Sequence, residues 1–454
     1  MKHSWDYRIG RLMLPGLKRW IAIVLVGIFC IVLGVLLLLG YHPITVTGAF
    51  IRDMMEDAVH VVPHRISGLL VITAGGVIVC MAIARITMSV LGAYLPADRE
   101  SIPDVLYRRR HLDQGPRVVV VGGGTGLSNL LKGLKNYTNN ITAIVTVGDD
   151  GGSSGRLRQE LGVLPPGDIR HCITALADED KLVTELFQYR FESGQGLEGH
   201  SFGNLFLTAL CSLTKGDMVE AVRVASRVLN SCGLVLPASL SNVVLVAELE
   251  DGRVVRGESQ IPKANGRIRR MHCEPAQPKA LPEAIQAILN AELIVLGPGS
   301  LYTSVIPNLL VQGIADAVRQ ARARKIYVCN VMTQIGETTD YSVADHVQAV
   351  LAHAGCPPGA GYKFIDAVLV NDEGPGQPCS PEVTPVTYDP ERLRELGVRV
   401  IRRPLVSHEL SGHHDGVKLA RAVMLWYFRH KRRKAAPPEQ VAVAAKRRRL
   451  AGLF

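Results

Sequence analysis

Two long apolar runs precede everything else in the chain. Residues 21–40 read IAIVLVGIFCIVLGVLLLLG without a charge, and GLLVITAGGVIVCMAIA begins a second run at Gly68 that continues to about residue 90. About 20 apolar residues cross a bilayer as a helix, so both runs are expected to span a membrane. The first ends in LLLLGYHP, which lacks the small-residue cleavage site of a signal peptide. After residue 116 the pattern changes. Short β-branched runs alternate with stretches of helical spacing. RVVVVGGGTGLSNLLKGLKNY, TAIVTV and AELIVLGPGSLYTSVIPNLLV each start on a strand, and Val118–Val121 form a continuous run of the kind buried on both faces of a parallel sheet. VVLVAELEDGRVVRGESQI predicts a hairpin turning at Asp251-Gly252. The alternation predicts a three-layer α/β domain with a mainly parallel sheet, preceded by two transmembrane helices. The expected boundaries are a membrane hairpin over 1–95, a linker over 96–116, the α/β domain over 117–430 and a basic tail over 431–454.

Charge adds an orientation. Lys2, Arg8, Arg11, Lys18 and Arg19 precede the first span, and Arg108, Arg109 and Arg110 follow the second. Between the spans, Arg52 and Arg65 are offset by Asp53, Glu56 and Asp57. Basic flanks stay on the cytoplasmic side. Both termini and the main domain are therefore expected in the cytoplasm of a multi-pass protein of the cell membrane. Much of the net charge of +10 sits in these flanks and in the tail RHKRRKAAPPEQVAVAAKRRRL. Beside a membrane, such segments read as contacts with anionic lipid. No nucleic-acid signature accompanies them, and no nucleic-acid partner is expected. The nine cysteines form no C-x-x-C pair and no zinc spacing, which suits free thiols in a reducing compartment. With 47% hydrophobic and 20% charged residues over 454, the composition is that of a folded chain, and the mean hydropathy of +0.17 comes mainly from the two apolar runs.

Candidate chemistry gathers at strand ends. Gly122, Gly123, Gly124, Thr125 and Gly126 form a turn between a strand and a helix. Absent Cβ atoms there let backbone amides approach a phosphate. The spacing is not that of a P-loop. Asp149 and Asp150 follow the second strand, where an acid meets ribose hydroxyls or a metal. The small residues Gly151 to Gly155, with Ser153 and Ser154, allow a ligand to lie against the backbone, and Arg156 and Arg158 favour anions. Asp168, Arg170 and His171 start a helix in LPPGDIRHCITALAD. His200, Ser201 and Asn204 start another in GHSFGNLFLTAL, and an amide at Asn204 among Phe202, Leu205 and Phe206 requires a partner. Gly297, Gly299 and Ser300 form a second glycine turn, and Asn330 ends a later strand. No catalytic residue is singled out, and the metal ligands are left open. An NAD-dependent dehydrogenase fits the acid after strand two, but no proton-transfer pair stands out.

VVVGGGTGLSNLLKGLK, TVGDDGGSSGRLR, LPPGDIRHCITALA, GHSFGNLFLTAL and LIVLGPGSLYTSVIPNLLV, in this order, resemble the YvcK-like gluconeogenesis-factor family over roughly 117–430. That family is similar in turn to 2-phospho-L-lactate transferase (CofD). The resemblance implies a Rossmann-like fold and a nucleotide-linked ligand. For the YvcK-like branch this is a UDP-sugar such as UDP-N-acetylglucosamine, in a regulatory role in cell-envelope morphogenesis, cell shape and carbon-source adaptation. For the transferase branch it is magnesium-dependent transfer of a phospho-lactyl group in deazaflavin coenzyme synthesis. PPGDIR stands where the transferase branch would carry a PDLD-like stretch, and the membrane hairpin is an addition to the usual soluble form. The first branch is the leading expectation, with a nucleotide-sugar and a membrane as partners and assembly into a homo-oligomer left open.

Overall fold

A computed structural model describes residues 17–38, 64–94, 110–177, 181–357, 359, 361, 364–373, 383–407 and 412–435. The chain divides into two compact units, Met1–Arg109 and Arg110–Phe454. The tail beyond residue 435 and most of the expected linker lie outside the described residues. Within the expected linker, residues 110–113 form a helical turn.

The first unit contains two helices, α1 (Leu17–Leu38) and α2 (His64–Tyr94). They pack along a glycine seam. A Cβ on Gly34 would lie 3.0 Å from the Gly68 carbonyl oxygen, and one on Gly75 would lie 2.8 Å from that of Gly27. Gly27 and Gly34 on α1, like Gly68 and Gly75 on α2, are seven residues apart, so each pair falls on one helix face and brings the backbones together. Leu25, Val26, Phe29, Val32, Leu69, Leu70, Val77 and Met81 point outward and are exposed. Gly68–Thr87, within α2, is the one described helix long and apolar enough to cross a membrane; Trp20–Leu36, within α1, is a shorter apolar helix. The Arg85 guanidinium lies over the Trp20 ring, 5.7 Å from its centroid.

The second unit is built on a seven-stranded sheet. Its strands are β1 (Val118–Gly122), β2 (Ile141–Val145), β3 (Leu234–Pro237), β7 (Leu293–Leu296), β8 (Arg324–Val328), β9 (Ala367–Asn371) and β10 (Arg399–Arg403), in the order β10-β9-β8-β7-β1-β2-β3. Every pairing is parallel, with Val118 opposite Ile141 on one side and Leu293 on the other. Successive β1 side chains enter different cores. Val119 and Val121 pack on one face, and Val118 and Val120 on the other. This explains the unbroken β-branched run, because a strand covered on both faces has no polar side.

One face is covered by α3 (Gly124–Leu134), α5 (Gly167–Leu176), α7 (Phe202–Leu213), α8 (Met218–Val228) and α14 (Gly416–Ala435), with α4 (Gly152–Leu161) and α6 (Lys181–Gln188) near the same end. The other is covered by α9 (Pro282–Asn290), α10 (Ile306–Leu310), α11 (Ile314–Gln320), α12 (Val343–His353) and α13 (Pro390–Glu395), together with an antiparallel sheet of β4 (Val244–Leu249), β5 (Val254–Arg256) and β6 (Ile268–Glu274). The hairpin expected at Asp251-Gly252 is β4–β5. The expected three-layer, doubly wound architecture is present, and its main sheet is entirely parallel.

Candidate functional site

The chain moves from β1 to β2 and β3 on one side, then returns to β7 on the other side of β1. A crevice opens where such a sheet reverses its order, beyond the carboxyl ends of the strands. Both glycine turns lie there. A Cβ on Gly126 would sit 3.1 Å from Pro298 O and from Gly299 N, and one on Gly299 would sit 3.0 Å from Gly123 O. Only residues without side chains let the two turns approach this closely. Gly124 has φ +66°, a left-handed conformation suited to glycine, at the start of α3. The Asn308 amide ties the second motif to the first by donating to Gly122 O at 3.2 Å and to Ser304 O at 2.7 Å. Ser300 Oγ accepts from Gln334 Nε2 at 2.8 Å rather than capping a helix. The segment after this turn is not the regular helix that its spacing suggested, because a π turn over Leu301–Val305 precedes the short α10.

Beside these turns is a cavity of about 320 Å³. Its floor is Gly123, Gly124, Thr125 and Gly126, with Gly299, Ser300 and Ser304 across from them. Its far wall is Asn330, Val331, Met332, Thr333, Gln334, Val383, His413 and His414. Of the sequence-predicted residues, Gly123, Gly124, Thr125, Gly126, Gly299, Ser300 and Asn330 line this one cavity, while Gly122 and Gly297 are not among its lining residues.

The acids lie toward β2. Asp168 Oδ2 would be 2.5 Å from a Cβ on Gly123, so this carboxylate rests against the first turn. Asp149 Oδ1 accepts from Gly151 N at 2.9 Å, and its other oxygen lies against Gly167. Burial raises the Asp149 pKa, and nearby Asp168 and Asp150 add to the effect. Glu258, beyond β5, is pushed up to about 8 by burial and by Asp149, Glu337 and Asp150. Glu337 is raised to about 7 by burial while it accepts from Thr303 Oγ1 and Tyr302 N. This end of the site thus gathers carboxylates whose charged forms are disfavoured first by burial and, for Asp149 and Glu258, also by neighbouring carboxylates. Among the described residues, no three His, Cys, Asp or Glu side chains converge as a metal site.

Other expected ligand residues are committed to the protein. Asp150 Oδ1 accepts from Ser259 N at 2.8 Å, joining the β2 loop to the loop after β5. Arg158 donates from Nε to Asn242 Oδ1 and from Nη2 to Val243 O, each at 2.6 Å. Ser154 Oγ accepts from Gly167 N at 3.1 Å, joining α4 to α5. Arg170, 3% exposed, donates from Nε to Asn204 Oδ1 at 2.9 Å, and Asn204 Nδ2 donates to Ser153 Oγ at 3.0 Å. Ser153 Oγ lies 2.9 Å from His200 Nδ1. Since Ser153 accepts from Asn204, its hydroxyl proton is free to go to a neutral His200, and burial with nearby Arg156 lowers the His200 pKa in keeping with that state. The partner required by Asn204 is this relay, which fixes α4, α5 and α7 beneath the crevice. Arg170 also donates to His171 Nε2 and to Phe187 O. Arg156 donates to Glu198 O at 2.6 Å and borders a separate open cavity of about 570 Å³ against Gly194–Gly199.

Asn308, Gln334, Glu258, Glu337 and His414 join the site without having been singled out by sequence. For Asn308 a signal existed: an amide in the apolar run VIPNLLV asks for a partner as Asn204 does. The others sit in loops whose local pattern does not reveal what they face.

Comparison with known proteins agrees with this geometry. The family described as 2-phospho-L-lactate transferase CofD matches residues 118–406. A putative gluconeogenesis factor of Nostoc sp. is 50% identical over 422 residues, covering 91% of each chain. That match is too long to be confined to Arg110–Phe454 and so reaches into the N-terminal unit. The gluconeogenesis factor of Bacillus subtilis is 51% identical over 68% of this chain and 97% of its own. A crystal structure of a Bacillus halodurans protein superposes with a TM-score of 0.64 at 48% identity, covering 68% of this chain and all of that one. From the paired glycine turns to these relatives the assignment is the same: the chain belongs to the gluconeogenesis-factor family and carries a CofD-like domain.

Proposed function

We propose that this protein is a membrane-held regulator that binds a nucleotide-sugar of the UDP-sugar class at the crevice between β1 and β7, in a role concerned with cell-envelope growth and carbon-source adaptation. The observation that carries the binding reading is the approach of the two glycine turns beside the cavity of about 320 Å³. The first turn and the start of α3 offer amides to a diphosphate, and the cavity offers room for one end of the ligand. Asp149 and the Gly151–Gly155 segment lie at the other end, suited to hydroxyls. The regulatory role rests on the family resemblance. Calorimetry of the full chain with UDP-N-acetylglucosamine tests the proposal, with NAD and a deazaflavin as comparisons. Saturable UDP-sugar binding without turnover is expected. Preference for NAD or the deazaflavin defeats it.

A second reading, a magnesium-dependent phospho-lactyl transferase, is favoured by one observation. Asp168 rests against the turn where a phosphate would lie, and like charges repel unless a cation stands between them. The donor set suits magnesium in one form only: one or two carboxylates, Asp168 and Asp149, with the ligand's own phosphates completing the shell. Bound there, the ion would neutralise phosphate charge. Asp168 would hold it against the turn, and the Gly151–Asp149 bond would keep the second carboxylate in place.

Membrane attachment is part of the proposal. The outward apolar faces of α1 and α2 and their glycine seam suit a helical hairpin in lipid. The Trp20–Arg85 contact suits the cytoplasmic interface, where aromatic rings and long basic side chains settle. On this reading the second span ends near Arg85 and both termini lie in the cytoplasm.

A further inference from the structure

His414 is buried at 8% exposure and lines the cavity beside the first glycine turn. Its Nε2 lies 3.2 Å from the carbonyl oxygen of Cys329. A carbonyl only accepts, so Nε2 carries the proton, and in the neutral ring Nδ1 is a bare acceptor. Nδ1 is buried and has no hydrogen-bond partner. A buried acceptor left unpaired is costly, and nearly all such atoms in proteins are satisfied. Burial lowers the His414 pKa to about 4, so the ring does not meet the deficit by taking a second proton. A ligand entering the cavity that His414 lines would supply that partner. Val331 and Met332, packed with Val383, give the cavity an apolar wall suited to a flat ring. On the β2 side of the crevice, where such folds place a base, the Asp150–Ser259 bond ties the β2 loop to the loop after β5.

We infer that the cavity takes the nucleobase of the ligand and that His414 Nδ1 is a specificity determinant, accepting from a ring N–H and so selecting bases that carry one beside a carbonyl, uracil or guanine, over cytosine or adenine, whose corresponding nitrogen is itself an acceptor. This rests on the proposed nucleotide binding. Two acceptors facing one another leave both unpaired, and a site built for a donor rejects the analogue that lacks it.

The test is calorimetry of the full chain with UDP, CDP, GDP and ADP, on the wild type and on H414A, with thermal melting to verify folding. In the wild type, the member with the ring N–H should bind at least tenfold more tightly than its counterpart in the pair UDP/CDP or GDP/ADP. H414A should reduce that ratio below about threefold. Discrimination in the UDP/CDP pair supports both the inference and the uridine reading. Discrimination in the GDP/ADP pair with weak UDP binding supports the inference but overturns the uridine reading. Equal binding within both pairs overturns the inference while leaving nucleotide binding intact, and this arm needs no variant. Discrimination that survives in folded H414A also overturns it. Binding of none of the four overturns the inference together with the function it rests on.

Discussion

Asn308 donates to the carbonyl of Gly122, a residue 186 positions earlier, at 3.2 Å, and this bond locks the second glycine motif onto the first. Its Oδ1 is buried without a partner. Asn308→Ala leaves the Gly122 and Ser304 carbonyls without this donor, and stability should fall by about 1–3 kcal/mol. Asn308→Asp should be worse, because it presents oxygen to two carbonyls. Nucleotide affinity should drop with each, since the spacing of the turns depends on the bond. Thermal melts read alongside calorimetry check this. Wild-type affinity in a destabilised N308A protein would show that the turns hold their spacing without it.

The two positions of the first turn should respond differently. Gly124 has φ +66°, and an added Cβ there would meet only Ser304 Oγ, at an ordinary contact distance of 3.7 Å. Gly124→Ala should therefore cost about 1 kcal/mol of backbone strain and leave binding measurable. Gly126→Ala meets backbone of Pro298 and Gly299 at 3.1 Å, so the turns must separate. Its nucleotide affinity should fall at least tenfold, about 1.4 kcal/mol, below that of G124A. Equal effects would mean that separation of the turns does not govern binding.

The acid pair separates the two functional readings. Asp150 is held by Ser259 N, and an asparagine oxygen can accept the same bond, so Asp150→Asn should change nucleotide affinity less than threefold, or roughly 0.6 kcal/mol. Asp168 faces the turn. If a UDP-sugar binds without metal, Asp168→Asn removes repulsion and binding should hold or tighten, with EDTA making little difference. If magnesium bridges to phosphate, wild-type binding should require it, and Asp168→Asn should abolish the requirement together with any transfer activity. Titrations with magnesium and with EDTA distinguish the two.

Stability should respond to pH through Glu258. Its folded-state pKa is about 8, above its ordinary 4.5. Between these values the folded protein holds a proton that the unfolded chain releases. The stabilisation is therefore fully present below about pH 4.5 and is lost as pH rises through about 8. Glu258→Gln keeps the neutral form at every pH. It should melt like wild type near pH 5 and be more stable at pH 9 by about 1 kcal/mol, a modest figure because solvent reaches and screens this half-buried group. Melting curves across that range suffice, and identical pH profiles would show that Glu258 is not raised.

Membrane topology is open to reporter fusions after residues 55 and 105. The first should report outside the cytoplasm and the second inside. Gly75→Leu, which forces a side chain against Gly27 O and Ile31, should weaken α1–α2 pairing. An external reading at residue 105 defeats the proposed orientation.

By itself the sequence determined what depends on near neighbours along the chain. Val118–Val121 read as a strand covered on both faces, Gly122–Gly126 as the junction from that strand to a helix, Gly297–Gly299 as a turn and Asp251-Gly252 as a hairpin, because side-chain periodicity and left-handed backbone are local properties. It also marked Asn204 as an amide in need of a partner. Tertiary structure decided which chemistry those residues serve. Asp149 and Asp150 are adjacent, yet one stays beside the crevice while the other is taken by Ser259, 109 positions later. Arg158 looked free for phosphate and is held by Val243, 85 positions later. His414, which lines the cavity, is bonded through Nε2 to the Cys329 carbonyl 85 positions away. Each outcome rests on hydrogen bonds between distant segments, which no local pattern encodes and which exist only once the sheet has brought those segments together.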